Sequence, residues 1–105
     1  MQFMKPLGLH NYFVYILTNK TKTVLYTGMT NNLERRLLEH QEPSANRFTG
    51  KYKTHYLLFW ERFQYVQEAI NREKEIKGWR RQKKVDLIDD FNPNWEFLND
   101  RIKDE

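Results

Sequence analysis

The sequence predicts a mixed α/β fold in which helices flank a small three-stranded, partly antiparallel sheet, in the order β-β-α-β-α-α-α. Two short apolar runs flank a polar turn, as in a β-hairpin, and a third apolar run follows a long polar stretch. Other segments repeat apolar residues at the three- and four-residue spacing of helices. The 105 residues suit one domain, which we expect to span 1–105 with its core over about 12–98.

The first two strands form the predicted hairpin. The run Tyr12-Phe13-Val14-Tyr15-Ile16-Leu17 is rich in aromatic and β-branched side chains, and polar residues follow it as far as Thr23. The predicted partner strand is Val24-Leu25-Tyr26-Thr27, which we expect to end at Gly28.

A helix follows the hairpin. Asn31 and Glu34 have the spacing of a capping box, and leucines give the helix an apolar stripe to about residue 40. Residues 41–54 are polar and form the longest irregular stretch, and a loop of this length in a small domain is often functional.

The second half of the chain alternates one strand with helices. Tyr56-Leu57-Leu58-Phe59-Trp60 has the composition of a buried strand. We expect a helix over 66–77 that Gly78 ends, and a shorter helix over 82–90. Asn92-Pro93 then predicts the start of a last helix that runs through Leu98.

Composition narrows the class of protein. The chain has no cysteine, which excludes disulfides and thiolate chemistry, and it lacks a long apolar segment, so we expect a soluble cytoplasmic protein. The formal net charge is +4, but residues 71–84 carry +5 and residues 85–105 carry −5. A cationic patch of this density would attract phosphates, although a solvated helix face would have the same composition.

Two tyrosines of the hairpin are candidate functional residues. Side chains alternate between the faces of a strand, so Phe13, Tyr15 and Leu17 share one face. If the hairpin pairs this face with that of Tyr26 and Gly28, the two tyrosines lie close together. The alternative is that both are ordinary half-buried strand residues.

Arg36 and His40 are four residues apart on the first helix, so they stack on one of its faces. Arg36 is three residues after Leu33 and borders the apolar stripe, so we expect it to lean toward the sheet. A snorkelling side chain is the alternative for Arg36, and spacing alone assigns no role to His40.

Glu73 is conspicuous because it lies within an apolar helical face, which Val66, Ala69, Ile70 and Ile76 define. A carboxylate there is costly unless it is paired or bound to a metal. One alternative is a buried ion pair, for example with Arg36. The other is a ligand of a divalent cation whose remaining ligands are water and phosphate oxygens, which suits Mg²⁺.

A site could hydrolyse a phosphodiester if it combined Tyr15, Tyr26, Arg36 and Glu73. A metal polarises the phosphate, an arginine offsets the charge of the transition state, and a base activates water. Tyrosine can be that base only if nearby cations favour its phenolate, because its ordinary pKa is about 10.

The motifs have a known counterpart. Phe13-Val14-Tyr15, Tyr26-Thr27-Gly28 after ten intervening residues, and Asn32-Leu33-Glu34-Arg35-Arg36 with His40 resemble the GIY-YIG nuclease domain. The continuation from Glu68 to Trp79 resembles the small stand-alone, single-domain branch of that family.

The resemblance implies an endonuclease that cuts DNA with one Mg²⁺ or Mn²⁺ ion, held by Glu73. It implies that Arg36 stabilises the phosphate, that Tyr26 activates water and that Tyr15 orients this water or shares the role. It also implies that His40 touches the scissile phosphate. The chain departs from the family pattern at Phe13, which replaces a glycine, and at Thr27, which replaces isoleucine or valine.

The leading hypothesis is therefore a metal-dependent endonuclease of low sequence specificity, acting in DNA repair or turnover on branched, nicked or single-stranded DNA, with RNA not excluded. A nucleic-acid-binding module without catalysis is the alternative, with Trp79 as a stacking platform or as a core residue, and an interaction domain using the acidic C-terminal segment is a third hypothesis. The basic residues expected to contact nucleic acid are Arg47, Lys51, Lys77, Arg80, Arg81, Lys83 and Lys84.

Overall fold

The computed structural model describes residues 11–41 and 53–102. Its sheet contains the strands β1 (Tyr12–Thr18), β2 (Leu25–Thr30) and β3 (Tyr56–Phe63) in the order β2-β1-β3, with both pairs antiparallel. The sheet is thus fully antiparallel, where the sequence predicted a partly antiparallel one. The helices are α1 (Leu33–His40), α2 (Val66–Lys77) and α3 (Arg81–Phe91), and a 3₁₀ turn covers Asn99–Arg101.

The central strand β1 is buried on both faces, so its side chains supply two apolar layers. Phe13, Tyr15 and Leu17 pack with α1 and with the C-terminal residues Leu98 and Ile102 on one face. A second cluster of buried apolar residues lies on the opposite face. It comprises Val14 and Ile16 of β1, Leu58 and Phe59 of β3, Ala69 and Ile76 of α2, and Ile88 of α3. The helices therefore cover both faces of the sheet, as expected for a mixed α/β fold.

Two predicted boundaries are wrong for local reasons. The strand β2 continues past Gly28 to Thr30, because Gly28 pairs with Tyr15 across the hairpin and does not break the strand. The cap of α1 is Asn32, one residue later than the predicted Asn31, and its side chain accepts a hydrogen bond from the Arg35 backbone N–H.

The last predicted helix, from Asn92-Pro93 through Leu98, does not form. The Asn92 side chain donates hydrogen bonds to the carbonyls of Leu58 and Glu96 and accepts one from the Glu96 N–H. Leu98 then donates its N–H to the Leu57 carbonyl, so this segment runs along the start of β3. Asn92 is the C-cap of α3 and satisfies this irregular backbone with its side chain, and it does not begin a new helix.

Gly78 follows α2 at the predicted position, although its φ of −80° is right-handed and needs no glycine. Among the residues that the structure describes, no helix is long and apolar enough to cross a membrane.

Candidate active site

Tyr15 lies in the middle of β1, and its phenol crosses the neighbouring strand at Gly28. The two residues are paired in the antiparallel register, and a Cβ atom on Gly28 would lie 2.5 Å from the Tyr15 hydroxyl oxygen. Any side chain at position 28 would occupy the space of this phenol. The glycine therefore lets the Tyr15 hydroxyl reach toward β2, one of the two edge strands of the sheet.

Tyr15, Tyr26 and His40 form a compact cluster under the end of α1. The tyrosine ring centroids are 6.5 Å apart, and the His40 ring lies 5.8 Å from Tyr15 and 5.5 Å from Tyr26. The shared face that strand alternation predicts for the two tyrosines is therefore present. Spacing alone gave no role to His40, and the structure places it between them.

His40 is hydrogen-bonded to Tyr15, with 2.9 Å between Nε2 and the hydroxyl oxygen. Burial, with the nearby Arg36 charge, lowers the pKa of His40 to about 4, so the imidazole is neutral at physiological pH. The phenol donates this hydrogen bond when Nε2 carries no proton and accepts it when Nε2 is protonated. Burial also raises the pKa of Tyr15 to about 12, although Arg36 opposes that increase.

Arg36 lies one turn before His40 on α1 and leans toward the sheet, as its position predicts. Its Nε atom is buried and has no hydrogen-bond partner among the described residues, whereas Nη1 lies 3.2 Å from a Glu39 carboxylate oxygen. Interaction with the Tyr15 hydroxyl raises the pKa of Arg36, which places the guanidinium next to the phenol. The side chain as a whole is 39% exposed, so it can also reach a ligand from solvent.

Glu73 lies on α2, which packs against the other face of the sheet, yet its charge contributes to the raised pKa of Tyr15. Its side chain is 21% exposed, so it is not the fully buried carboxylate that the apolar pattern suggested. Its ion pair among the described residues is with Lys77, with 3.3 Å between Nζ and Oε2, and not with Arg36. The carboxylate lies at the border of the apolar face, where solvent and a ligand can reach it.

The donor chemistry around Glu73 suits a hard, heavily hydrated cation. The described residues contain no group of three His, Cys, Asp or Glu side chains that could hold a metal by themselves. A single accessible carboxylate fits Mg²⁺ or Mn²⁺, which retain waters and accept phosphate oxygens as further ligands. It does not fit a structural zinc site, which requires four protein ligands.

The predicted basic surface begins one turn after Glu73. Lys77 is the ion-pair partner of Glu73, and Arg80 and Arg81 are exposed where α2 passes into α3. Lys83 is exposed and Lys84 is half-buried on the first turns of α3. The other two predicted contacts, Arg47 and Lys51, lie outside the described residues.

Trp79 packs mainly as a core residue. It is half-buried against the apolar layer beneath α2, while Lys83 Nζ lies 4.6 Å and the Arg72 guanidinium 5.3 Å from its ring. These contacts favour the core role over a free stacking platform.

His55 is a site residue that the sequence did not single out. It precedes β3, its Nδ1 atom is buried without a hydrogen-bond partner in the described part of the chain, and its charge would lower the pKa of His40. It stands alone in a polar stretch, so no spacing signal connects it to His40 in sequence. Gly28 was predicted only as a strand end, and alternation placed it on the face of Tyr26 without giving its pairing with Tyr15.

Comparison with known proteins gives a consistent result. A family model described as the GIY-YIG catalytic domain matches residues 11–86. A UPF0213 protein of Natronomonas pharaonis is 39% identical over 80 residues, which cover 76% of this chain and 93% of that protein. A UPF0213 protein of Staphylococcus saprophyticus is 34% identical over 80 residues, which cover 76% of this chain and 96% of that protein.

A solved structure has a similar fold. The solution NMR structure of a UPF0213 protein from Bacillus halodurans superposes with a TM-score of 0.51 at 27% identity, covering 90% of this chain and 97% of that one. With the paired tyrosines, the arginine and histidine of α1 and the glutamate of α2 already placed in this fold, the chain belongs to the GIY-YIG family of nuclease domains.

Proposed function

We propose that this protein is a divalent-metal-dependent endonuclease that hydrolyses phosphodiester bonds in DNA with low sequence specificity. The observation that carries the proposal is the cluster of Tyr15, Tyr26, His40 and Arg36 on one face of the sheet, with the Glu73 charge near enough to contribute to the raised pKa of Tyr15. The positive charge of Arg36 can stabilise the phosphate in the transition state, and the negative charge of Glu73 can hold a metal ion that does the same.

Glu73 is the proposed ligand of Mg²⁺ or Mn²⁺, which would polarise the phosphate and its leaving oxygen. Arg36 would bind the scissile phosphate through the solvent-facing part of its guanidinium, because the side chain is 39% exposed beside the Tyr15 hydroxyl. Its planar guanidinium also suits the paired oxygens of a phosphate.

The two tyrosines are assigned different roles because Tyr15 resists ionisation. With a pKa of about 12, conversion of Tyr15 into its phenolate at pH 7 costs about 7 kcal/mol, against about 4 kcal/mol for an ordinary tyrosine. Tyr15, which is fully buried, therefore stays a phenol that is fixed by His40 and positions the Arg36 guanidinium beside it. Tyr26 is half-buried beside them and is the proposed activator of the attacking water.

The basic residues at the junction of α2 and α3 are the proposed contacts to the DNA backbone. Lys77 lies one turn after Glu73 at the end of α2, and Arg80 and Arg81 follow at the start of α3, so a strand bound at Glu73 would pass them. Their contacts are with phosphates, which accounts for affinity and for low sequence specificity.

The decisive test is cleavage of branched, nicked and single-stranded DNA with Mg²⁺ or Mn²⁺ by the wild type and by Glu73→Gln. We expect the loss of the carboxylate charge to reduce cleavage at least about 100-fold, the scale of removing one transition-state contact. Glu68→Gln is the matched control, because Glu68 is exposed on the first turn of the same helix.

Cleavage that persists in Glu73→Gln, or in the presence of a chelator, would refute the metal mechanism. Tight DNA binding by the wild type without cleavage of any substrate would instead support a non-catalytic binding module. The Lys77–Glu73 ion pair favours this second candidate, because it already neutralises the proposed metal ligand.

A further inference from the structure

A cavity of about 540 Å³ lies beyond the end of α1, away from the basic surface of α2 and α3. The described residues that line it are Gln41, His55, Tyr56, Phe97, Asn99 and Asp100. We propose that this cavity binds one unpaired base of a nucleic acid strand whose backbone crosses the Tyr15–His40 cluster. The inference rests on the proposed function and adds a preference for substrates with unpaired nucleotides.

Aromatic rings form one wall of the cavity. The rings of Tyr56 and Phe97 stack with centroids 4.2 Å apart and an interplanar angle of 22°, and Phe97 is 38% exposed. An exposed ring on a rigid support is a surface on which bases stack without regard to sequence. The backbone behind this wall is fixed, because Asn99 binds the Leu57 N–H and the His55 carbonyl.

The polar lining suits the edge of a base. His55 Nδ1 is buried and has no hydrogen-bond partner among the described residues, although such an atom normally has one. Asp100 supplies an exposed carboxylate, which accepts from exocyclic amino groups. A base that enters the cavity can donate a hydrogen bond from its amino group to Asp100, which a purely apolar ligand cannot do, while His55 contributes its ring to the cavity wall and not its buried Nδ1.

A cation at the cavity suits the phosphate of the same nucleotide. Lys22 is exposed in the β1–β2 turn, and its Nζ lies 5.2 Å from the centroid of the Phe97 ring. A base can replace the ammonium group over this ring, and the ammonium group can then pair with a backbone phosphate.

The cavity also lies next to the candidate active site. His55 is close enough to His40 for its charge to lower the pKa of His40, and Gln41 follows His40 directly. A nucleotide held in the cavity is therefore a near neighbour of the phosphate at Tyr15. The volume lies within the 300–1,000 Å³ range of small-ligand sites, and a base must leave its duplex stack to enter.

The experiment compares two duplexes that differ at one bulged position, which carries either 2-aminopurine or an abasic residue. Binding is measured by fluorescence anisotropy with Ca²⁺ in place of Mg²⁺, and 2-aminopurine emission reports stacking. We expect the wild type to bind the 2-aminopurine bulge about tenfold more tightly than the abasic bulge, because one base–aromatic stack contributes roughly that much. Binding should also quench the emission of the 2-aminopurine.

Phe97→Ala should abolish the tenfold preference without changing affinity for the abasic duplex. Phe91→Ala is the matched control, because Phe91 is a 45% exposed aromatic residue outside this cavity, and it should keep the preference. Asp100→Asn gives a second test should Phe97→Ala fail to fold. It should remove the preference of the wild type for a bulged cytosine over a bulged thymine, because only cytosine offers an amino group there.

Equal wild-type affinity for the 2-aminopurine and abasic bulges would overturn the base-binding cavity and leave the nuclease proposal intact. Failure to bind either duplex, or any other DNA, would overturn the proposed function itself. Retention of the 2-aminopurine preference by Phe97→Ala, together with retention of any cytosine preference by Asp100→Asn, would also overturn the cavity, because the base would then be held elsewhere.

Discussion

His40 should make the folded protein less stable in mild acid, because its imidazole is held neutral. Its side chain is 2% exposed, and burial with the Arg36 charge lowers its pKa to about 4. A histidine in an unfolded chain has a pKa of about 6.5. Between these two values the unfolded chain binds a proton that the folded protein does not, so the free energy of unfolding decreases as the pH falls.

The size of this effect follows from the two pKa values. Each pKa unit corresponds to about 1.4 kcal/mol, so the contribution of His40 falls by about 2 kcal/mol between pH 7 and pH 5 and by about 3 kcal/mol at pH 4. A domain of this size has a total stability of about 5–15 kcal/mol, so the loss is a substantial part of it.

Urea unfolding followed by tryptophan fluorescence measures the effect when wild type and His40→Gln are compared at several pH values. Glutamine can still accept a hydrogen bond from the Tyr15 hydroxyl but does not titrate, so carboxylates common to both proteins cancel. The wild type should lose about 2 kcal/mol more than the variant between pH 7 and pH 5.

A stability difference between wild type and His40→Gln that does not change with pH would refute the conclusion that His40 is buried and neutral. So would an NMR titration in which the His40 ring of the folded protein takes up a proton near pH 6.5, since it would show that neither burial nor Arg36 acts on the ring.

Two further predictions concern the hairpin and the first helix. Gly28→Ala places a Cβ atom 2.5 Å from the Tyr15 hydroxyl oxygen, so we expect a loss of about 1–3 kcal/mol in urea unfolding and displacement of the phenol from His40. Unchanged stability with the Tyr15–His40 hydrogen bond retained would contradict this. Asn32→Ala removes the side-chain cap of α1 and should cost about 1 kcal/mol in the same measurement. Asn31→Ala should cost less, because Asn31 contacts only the exposed Arg35 side chain in the described structure, and equal losses would show that the cap is misplaced.

Sequence periodicity was sufficient where one local pattern decides the outcome. The alternation of β1 and β2 placed Tyr15 and Tyr26 on one face, and apolar spacing gave the bounds of α2. Both are short-range properties, because the side-chain period of a strand or helix is set by its backbone geometry.

Periodicity failed where a distant residue decides the outcome. The strand β2 continues through Gly28 because of its cross-strand neighbour Tyr15, and the expected last helix is replaced by contacts of Asn92 with β3. The ion-pair partner of Glu73 is one helical turn away, whereas the apolar pattern directed attention to Arg36. His55 approaches His40 only through the tertiary fold, so no pattern in the chain connects them.

The geometry of the sheet explains why the candidate active site lies at β2. Tyr15 faces α1, whereas Glu73 is carried by α2 on the opposite face, so the two can interact only around an edge of the sheet. In the order β2-β1-β3 both β2 and β3 are edge strands, and the Tyr15 phenol is directed to the β2 edge because Gly28 of β2 is the residue that it crosses. A side chain at position 28 would separate the phenol from the edge and hence from the carboxylate. Glycine at position 28 is therefore a requirement of the candidate site, because its lack of a Cβ atom leaves the space that the Tyr15 phenol occupies.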